Sequence, residues 1–239
     1  MKITSVNNEL IKEASKLLRG KYRDETGLFL LEGVKCVKEA IDSELEVVHI
    51  FSTEGFEEYP QRIEVTDAVI SKISDAKSAP TVVAVAKQHI HKWSNSYKRV
   101  ILLEGIKDPG NLGTILRTAS AFSVDAVILY GNTVDMYNPK CVRSAVGNLW
   151  KIPVIKIKDI RELNGYELVS TLPKGDNAIN LRDFKPADKT VIMFGSEAEG
   201  LSVELKQIAD KSITVEMNNS VESLNLSVSA SIVMYEVFN

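Results

Sequence analysis

Residues 99–122 read RVILLEGIKDPGNLGTILRTASAF. An apolar run, RVILLEG (99–105), meets Pro109 and Gly110, and a segment with helical spacing follows over about 112–123. A nearly continuous apolar strand suits a sheet covered on both faces. A strand that turns through glycine and proline into a helix is the repeating step of an α/β fold. Asn111 stands where a side chain can cap that helix, and Gly113 lets the main chain come close to a ligand. A helix N-terminus at this point can hold an anion. Arg117, six residues beyond Asn111, lies among small and apolar neighbours (TILRTASAF). Spacing alone fits an ordinary strand-to-helix turn with a good cap. A guanidinium buried in such a segment needs partners, which an active site supplies.

The alternation continues along the chain. DAVILY (125–130), IPVIKI (152–157), YELVSTL (166–172), TVIMFG (190–195) and KSITVEM (211–217) read as strands. Helices are expected at about 138–146, 201–209 and 223–237, giving a mostly parallel sheet with helices on both faces. Ligands of open α/β sheets bind beyond the carboxyl ends of the strands, which draws two more loops into view. In FGSEAEGLS (194–202), Gly195, Ser196 and Gly200 surround Glu197 and Glu199. Exposed amides of such a turn suit a nucleotide-like ligand, and a plain strand–loop–helix corner capped by Ser202 fits as well. In VEMNNSVESLNLSVSASIVMYEVF (215–238), Asn218, Asn219 and Ser220 make a polar turn before an apolar helix. Ser223, Asn225, Ser227, Ser229 and Ser231 crowd that helix although they are poor interior helix formers. Ser220 or Ser223 is expected as its cap, and the small face fits against another helix, a symmetry mate included.

The first ninety residues follow the same logic on a smaller scale. Leu10, Ile11, Ala14, Leu17 and Leu18 mark a helix from Asn7, capped by Asn7 or Asn8, to about Gly20. Lys12, Lys16, Arg19, Lys21 and Arg23 lie on its other face and the following turn. They are candidate phosphate contacts, and a solvated helix face fits nearly as well. LFLLEG (28–33), EVVHIF (46–51) and TVVAVA (81–86) read as strands, VKCVKEAID (34–42) and TDAVISKISD (66–75) as helices. The polar, aperiodic QHIHKWSNSYKR (88–99) is the linker candidate. The expected division is a domain over 1–90, a linker over 91–98 and a second domain over 99–239.

Composition sets bounds. The chain has 239 residues and a net charge of −3, without the basic excess of a nucleic-acid coat. Its two cysteines, Cys36 and Cys141, have neither CxxC nor metal-ligand spacing and fit a reducing compartment. MKITSVNNELIKEASKLLRG contains no apolar signal core, and no run approaches a membrane span of roughly 20 residues. A cytoplasmic location follows as the expectation. His49, His89 and His91 are not placed at ligand spacing, so no metal is expected. HExxH, GxSxG, GxGxxG and GxxxxGK[ST] are absent from the sequence.

Three segments, in this order and each after a strand, carry a resemblance: DPGNLGTILRTA (108–119), GSEAEGLS (195–202) and SLNLSVSASIVMYE (223–236). They resemble the motifs of the SpoU/TrmH family of RNA ribose 2′-O-methyltransferases, in the SPOUT superfamily. LFLLEGVKCVKEAI (28–41) is similar to the strand–helix junction of the small RNA-binding substrate domain that many members carry.

The resemblance implies a trefoil-knotted methyltransferase domain, an obligate homodimer with active sites at the subunit interface, S-adenosylmethionine as cofactor, and rRNA, otherwise tRNA, as substrate. Sequence pattern alone does not suggest a knot, because knots are rare. By the same carry-over, Asn111, Arg117, Glu197, Ser223 and Asn225 are the catalytic set. Gly195, Val215, Leu224 and Leu172 are the cofactor contacts. Arg117 is expected to lower the pKa of the ribose hydroxyl electrostatically, since guanidinium rarely loses its proton. The sequence departs from the family's pattern at Glu216, usually proline, and at Asn219 and Ala198, usually glycine. Glu216 adds a charge and frees the backbone at the mouth of the cofactor or RNA site. The rival expectation is a non-catalytic RNA-binding ribosome-assembly factor with a decayed transferase domain.

Overall fold

The computed structural model describes residues 2–173, 178–218 and 220–239. In chain order the first elements are β1 (Lys2–Ile3), α1 (Glu9–Lys16), α2 (Gly20–Thr26), β2 (Leu28–Glu32) and α3 (Val34–Asp42). Next come β3 (Val47–Ser52), β4 (Arg62–Val65), α4 (Asp67–Lys72) and β5 (Val82–Lys87). β6 (Arg99–Glu104), α5 (Pro109–Ala121), β7 (Ala126–Tyr130), α6 (Pro139–Ala145) and β8 (Val154–Ile157) follow. The chain ends with β9 (Glu167–Thr171), β10 (Ile179–Asn180), β11 (Thr190–Phe194), α7 (Val203–Ile208), β12 (Lys211–Thr214) and α8 (Leu226–Phe238). They form two units: residues 1–89 with 135–151, and residues 90–134 with 152–239.

In the second unit seven strands pair in the order β10-β12-β9-β11-β6-β7-β8, all parallel. β6 and β11 are central, and their apolar runs Val100–Leu103 and Val191–Phe194 are buried throughout. That is why their sequences do not alternate. The chain enters at β6, travels outward through β7 and β8, and returns to the other side with β9 and β11. The carboxyl ends of β6 and β11 therefore form the switch point of the sheet. β12 is shorter than KSITVEM suggested. Its neighbours end first: Ile213 faces Thr171 and Thr214 faces Asn180, each the last residue of its strand. Val215–Met217 consequently leave the sheet. Between the units' sheets in sequence, the polar stretch 88–98 has neither helix nor strand.

The first unit holds a five-stranded mixed sheet, β1-β4-β3-β5-β2. Ile11, Ala14 and Leu17 pack on it beside Leu30, Phe51 and Ile70. The single helix expected over 7–20 is two. Asn8 caps α1 by accepting from Leu10 N at 3.0 Å. The helix stops at Lys16, and Gly20 opens α2 rather than closing α1. Arg23 explains the break: its Nη1 donates to the Leu17 carbonyl at 2.7 Å, meeting an acceptor the helix end leaves open. Gly27, at φ +65°, closes α2 in the left-handed conformation.

The 135–151 segment supplies counter-ions to the buried charges Arg23 and Glu32 of this unit. Arg23, buried, places Nη2 2.6 Å and Nε 2.7 Å from Asp135 Oδ2. Glu32, also buried, accepts from Ser74 Oγ at 2.8 Å and Asp75 N at 3.1 Å and lies 3.0 Å from Arg143 Nη1. The Phe29 and Tyr137 rings lie 4.6 Å apart. Neither cysteine forms a disulfide. Burial pushes the Cys36 thiol up to about 12, so it is protonated and unreactive at neutral pH.

Removing one partner of a buried ion pair strands the other charge in a place water cannot reach. Arg23→Ala is expected to lower unfolding free energy by about 3 kcal/mol, whereas Arg23→Met with Asp135→Leu recovers most of it. Urea denaturation of the two variants measures both; a loss below about 0.5 kcal/mol for Arg23→Ala would show that the pair is not structural.

Candidate functional site

Three loops leave the carboxyl ends of β6, β11 and β12. After β6 the chain turns at Gly105 (φ +64°) and enters α5. The cap of α5 is Asp108, not Asn111: Asp108 Oδ1 accepts from Asn111 N at 2.9 Å, and Pro109 fills the first helical position. Pro109 and Gly110 are thus the start of the helix, not a turn before it. The Asp-Pro pair was the sequence signal for this start.

Because Asp108 takes the capping role, the Asn111 side chain is available elsewhere. Its Nδ2 donates to Glu197 Oε1 at 2.9 Å, and its Oδ1 accepts from Asn225 Nδ2 at 3.1 Å. Asn225 Oδ1 accepts from Ser227 N at 2.9 Å, Ser227 Oγ at 2.7 Å and Val228 N at 3.4 Å. Asn225 is therefore the cap of α8, a role expected of Ser220 or Ser223. The result is a directed chain from the α8 N-terminus through Asn225 and Asn111 to the Glu197 carboxylate. Each amide orientation is set by its neighbour, because a carboxylate only accepts.

The loop carrying Glu197 is tied to itself. Ser196 N donates to Gly200 O at 3.2 Å, Gly200 N to Ser196 O at 3.0 Å, and Glu199 N to Ser196 Oγ at 3.2 Å. Gly195 admits no side chain: a Cβ there would lie 1.9 Å from the Gly200 carbonyl carbon and 2.0 Å from Leu201 N. Glu104, at the end of β6, accepts from Ser202 N at 2.7 Å, and Ser202 Oγ caps α7 through Leu205 N at 3.3 Å.

A cavity of about 580 Å³ opens between the loops after β9, β11 and β12 and the start of α8. Leu172, Gly195, Val215 and Leu224, all singled out in the sequence, line it, as do Glu197, Ser223 and Asn225. Its volume is in the range of small-molecule sites, roughly 300–1,000 Å³. Apolar walls (Leu172, Val215, Leu224, Leu226) and the open main chain at Gly195 suit a flat heterocycle with a ribose. Glu197, Glu199, Glu222 and Lys206 are among its lining residues, an excess of carboxylates that suits a ligand bearing positive charge. S-adenosylmethionine, an adenosine with a sulfonium, an ammonium and a carboxylate and a net positive charge, meets both conditions. On the other side of the 196–202 loop a second hollow, about 650 Å³, reaches Lys107, Gly131 and Asn132. Lys107 Nζ donates to Asn132 O at 2.6 Å across it. Sequence reasoning had not picked out Asp108, Glu104 or Lys107.

Arg117 stands apart. Six residues carry it about 9 Å along α5 and roughly 120° around from Asn111. It is exposed, lines neither hollow, and makes no hydrogen bond or ion pair among the described residues. The expectation of a buried guanidinium is corrected: that side of α5 is open in one chain. Of the basic set on the first unit, Arg23 is buried against Asp135, which removes its charge from the surface. Lys12 and Lys16 are paired with Glu9 (2.9 Å) and Glu13 (2.6 Å), Lys21 lies 3.8 Å from Glu25, and Arg19 is exposed. Ala198 lines both hollows, Glu216 is exposed, and Asn219 lies outside the described residues. Among the described residues no cluster of metal-ligating side chains occurs, and no helix is long and apolar enough to cross a membrane.

Residues 98–235 match the SpoU rRNA Methylase family, and residues 8–84 match the MRM3-like substrate binding domain. The chain is 29% identical over 246 residues to the 23S rRNA (guanosine(2553)-2′-O)-methyltransferase RlmP of Bacillus subtilis, covering 98% of each chain. Among solved structures it is similar to an AdoMet-bound rRNA methyltransferase from Sinorhizobium meliloti, with TM-score 0.86 and 27% identity over 99% of this chain and 96% of that one. It is also similar to an RNA 2′-O ribose methyltransferase, with TM-score 0.82 and 28% identity over 99% and 97%.

Asn225 has two separable tasks. Asn225→Ala loses the α8 cap and is expected to cost about 1 kcal/mol, while Asn225→Asp keeps an accepting oxygen for Ser227 and Val228 and should stay within about 0.5 kcal/mol of the parent. Thermal denaturation monitored by circular dichroism distinguishes them; equal losses would mean that the cap is not what Asn225 contributes.

Proposed function

The chain belongs to the SpoU rRNA methylase family, and on that premise we propose how its residues divide the work. It is an S-adenosylmethionine-dependent RNA ribose 2′-O-methyltransferase, with rRNA favoured over tRNA as substrate. The non-catalytic assembly factor is not favoured, since the relatives are named as methyltransferases. The observation that carries the assignment of roles is the Asn225–Asn111–Glu197 chain at the rim of the 580 Å³ cavity.

When bound, S-adenosylmethionine supplies a methyl group already activated on a sulfonium. Leu172, Gly195, Val215 and Leu224 would hold it, within the knotted passage that the family resemblance implies. What remains for the protein is to align the neutral 2′-hydroxyl and make it a better nucleophile, and alignment alone can supply much of the rate. Asn111 and Asn225 hold each other and Glu197, which orients the ribose side of the cavity. Ser223 faces the same space and presents a hydroxyl to the ribose. Arg117 stabilises the developing alkoxide electrostatically and retains its own proton.

A second copy of the chain explains why Arg117 faces outward. On α8, Val228, Ile232 and Tyr235 repeat at i, i+4 and i+7 and are 46%, 38% and 56% exposed. They lie on the helix that packs against α5, where Thr118 Oγ1 meets Ser231 Oγ at 3.2 Å and the Phe122 ring meets Tyr235 at 5.6 Å. Burying this stripe in a homodimer covers α5 and α8 together, and Arg117 of the partner subunit completes the site. In the first unit, Arg19, Lys21, Lys12 and Lys16 contact RNA phosphates, with Arg19 contributing most because each lysine already has a carboxylate within 4 Å. The enzyme works in the cytoplasm.

Calorimetry with S-adenosylmethionine and a methyl-transfer assay on rRNA from cells lacking the gene test this reading. Wild type and Arg117→Ala should bind the cofactor alike, while transfer by the variant falls about 10²–10³-fold. A folded wild type that binds no cofactor would sink the assignment. Arg19→Ala should weaken RNA binding and reduce the slope of log K against log salt by about 0.7–0.9; an unchanged slope would remove Arg19 from the phosphate contacts.

A further inference from the structure

Val215 and Met217 line the cavity, yet residues 215–217 lie past the end of β12 and make no main-chain hydrogen bond among the described residues. A wall built from such backbone needs another restraint. The side chain between them supplies one. Glu216 Oε2 accepts from Asn180 Nδ2 at 3.1 Å. Asn180 is itself fixed. It ends β10, where it faces Thr214, the last residue of β12, and its Oδ1 accepts from Arg182 N at 3.1 Å. With its oxygen engaged, the Asn180 amide can present only N–H groups to position 216, and a carboxylate there can only accept.

We propose that the Asn180–Glu216 hydrogen bond is a positioning tie that holds the 215–217 wall against the sheet edge and sets cofactor affinity. This rests on the cavity being the cofactor site. Position 216 is where the sequence departs from the family's proline, and the tie restores by a side-chain contact the rigidity that a ring would have given the backbone. Neither residue touches the reacting atoms. Their effect falls on binding and not on the chemical step.

The test uses the full chain and the cofactor as ligand. Asn180→Asp keeps an oxygen for Arg182 N but sets two carboxylates face to face, so the turn survives and the tie is lost. Its Kd for S-adenosylmethionine by calorimetry should rise about tenfold, the low end for a hydrogen bond with a charged partner because this one is exposed. Adding Glu216→Gln to Asn180→Asp returns the contact with donor and acceptor exchanged. Affinity should then come back to within about twofold of wild type, and kcat at saturating cofactor should stay unchanged throughout. A purely structural role for either residue would not be rescued by the second substitution. Wild-type affinity in Asn180→Asp, or no recovery in the double variant, overturns the tie. A wild type that fails to bind the cofactor overturns the site assignment, and the tie with it.

Discussion

The Asp108 carboxylate on the Asn111 amide nitrogen is the contact on which the site depends. A helix start leaves four N–H groups that must find acceptors. Asn111 could have met that need itself, and its side chain would then have been turned inward to its own helix. With Asp108 in that role, the Asn111 amide reaches across to Glu197 and receives Asn225. Loops after β6 and β11 and the start of α8, far apart in sequence, become one hydrogen-bonded unit. Asn225 repeats the economy at the other end, since the oxygen that caps α8 and the nitrogen that meets Asn111 belong to one amide.

The sheet explains why these loops meet. Parallel strands put all their carboxyl ends on one side, and the central pair β6 and β11 marks the point where the chain reverses its direction of travel. The 195–202 loop stands at that point and separates two hollows. It can double back so tightly only because residue 195 has no side chain. A methyl there would meet main chain, which cannot move aside as a flexible side chain would. The two hollows thus share one thin wall, with the Asn111–Glu197 contact at its edge.

The first unit shows a different constraint. Its two buried charges, Arg23 and Glu32, both find partners in the 135–151 segment. A buried charge without a partner is costly enough to destabilise a fold. The segment between β7 and β8 is therefore part of the first unit's structure, although in sequence it belongs to the run of strands that builds the second.

Local pattern determined most of the secondary structure. The helix 34–42 ends where VKCVKEAID ends, and the strands at 28–32, 82–87, 99–104 and 190–194 lie where apolar runs predicted them. Periodicity is a property of neighbouring residues, so it can be read along the chain. β1 and β10 are two residues long and too short to show a period, and β4 (RIEV) has only two apolar residues and no longer apolar run around it to mark it. The motif loops could also be located in sequence, since each follows a strand. Their inner assignments could not. Which of Asp108 and Asn111 caps α5, that Arg23 is buried by a carboxylate 112 residues away, that β12 stops at Thr214, and that Arg117 faces outward all depend on partners brought close by the fold. Sequence specifies which groups seek partners; only the packed chain decides which partners are within reach.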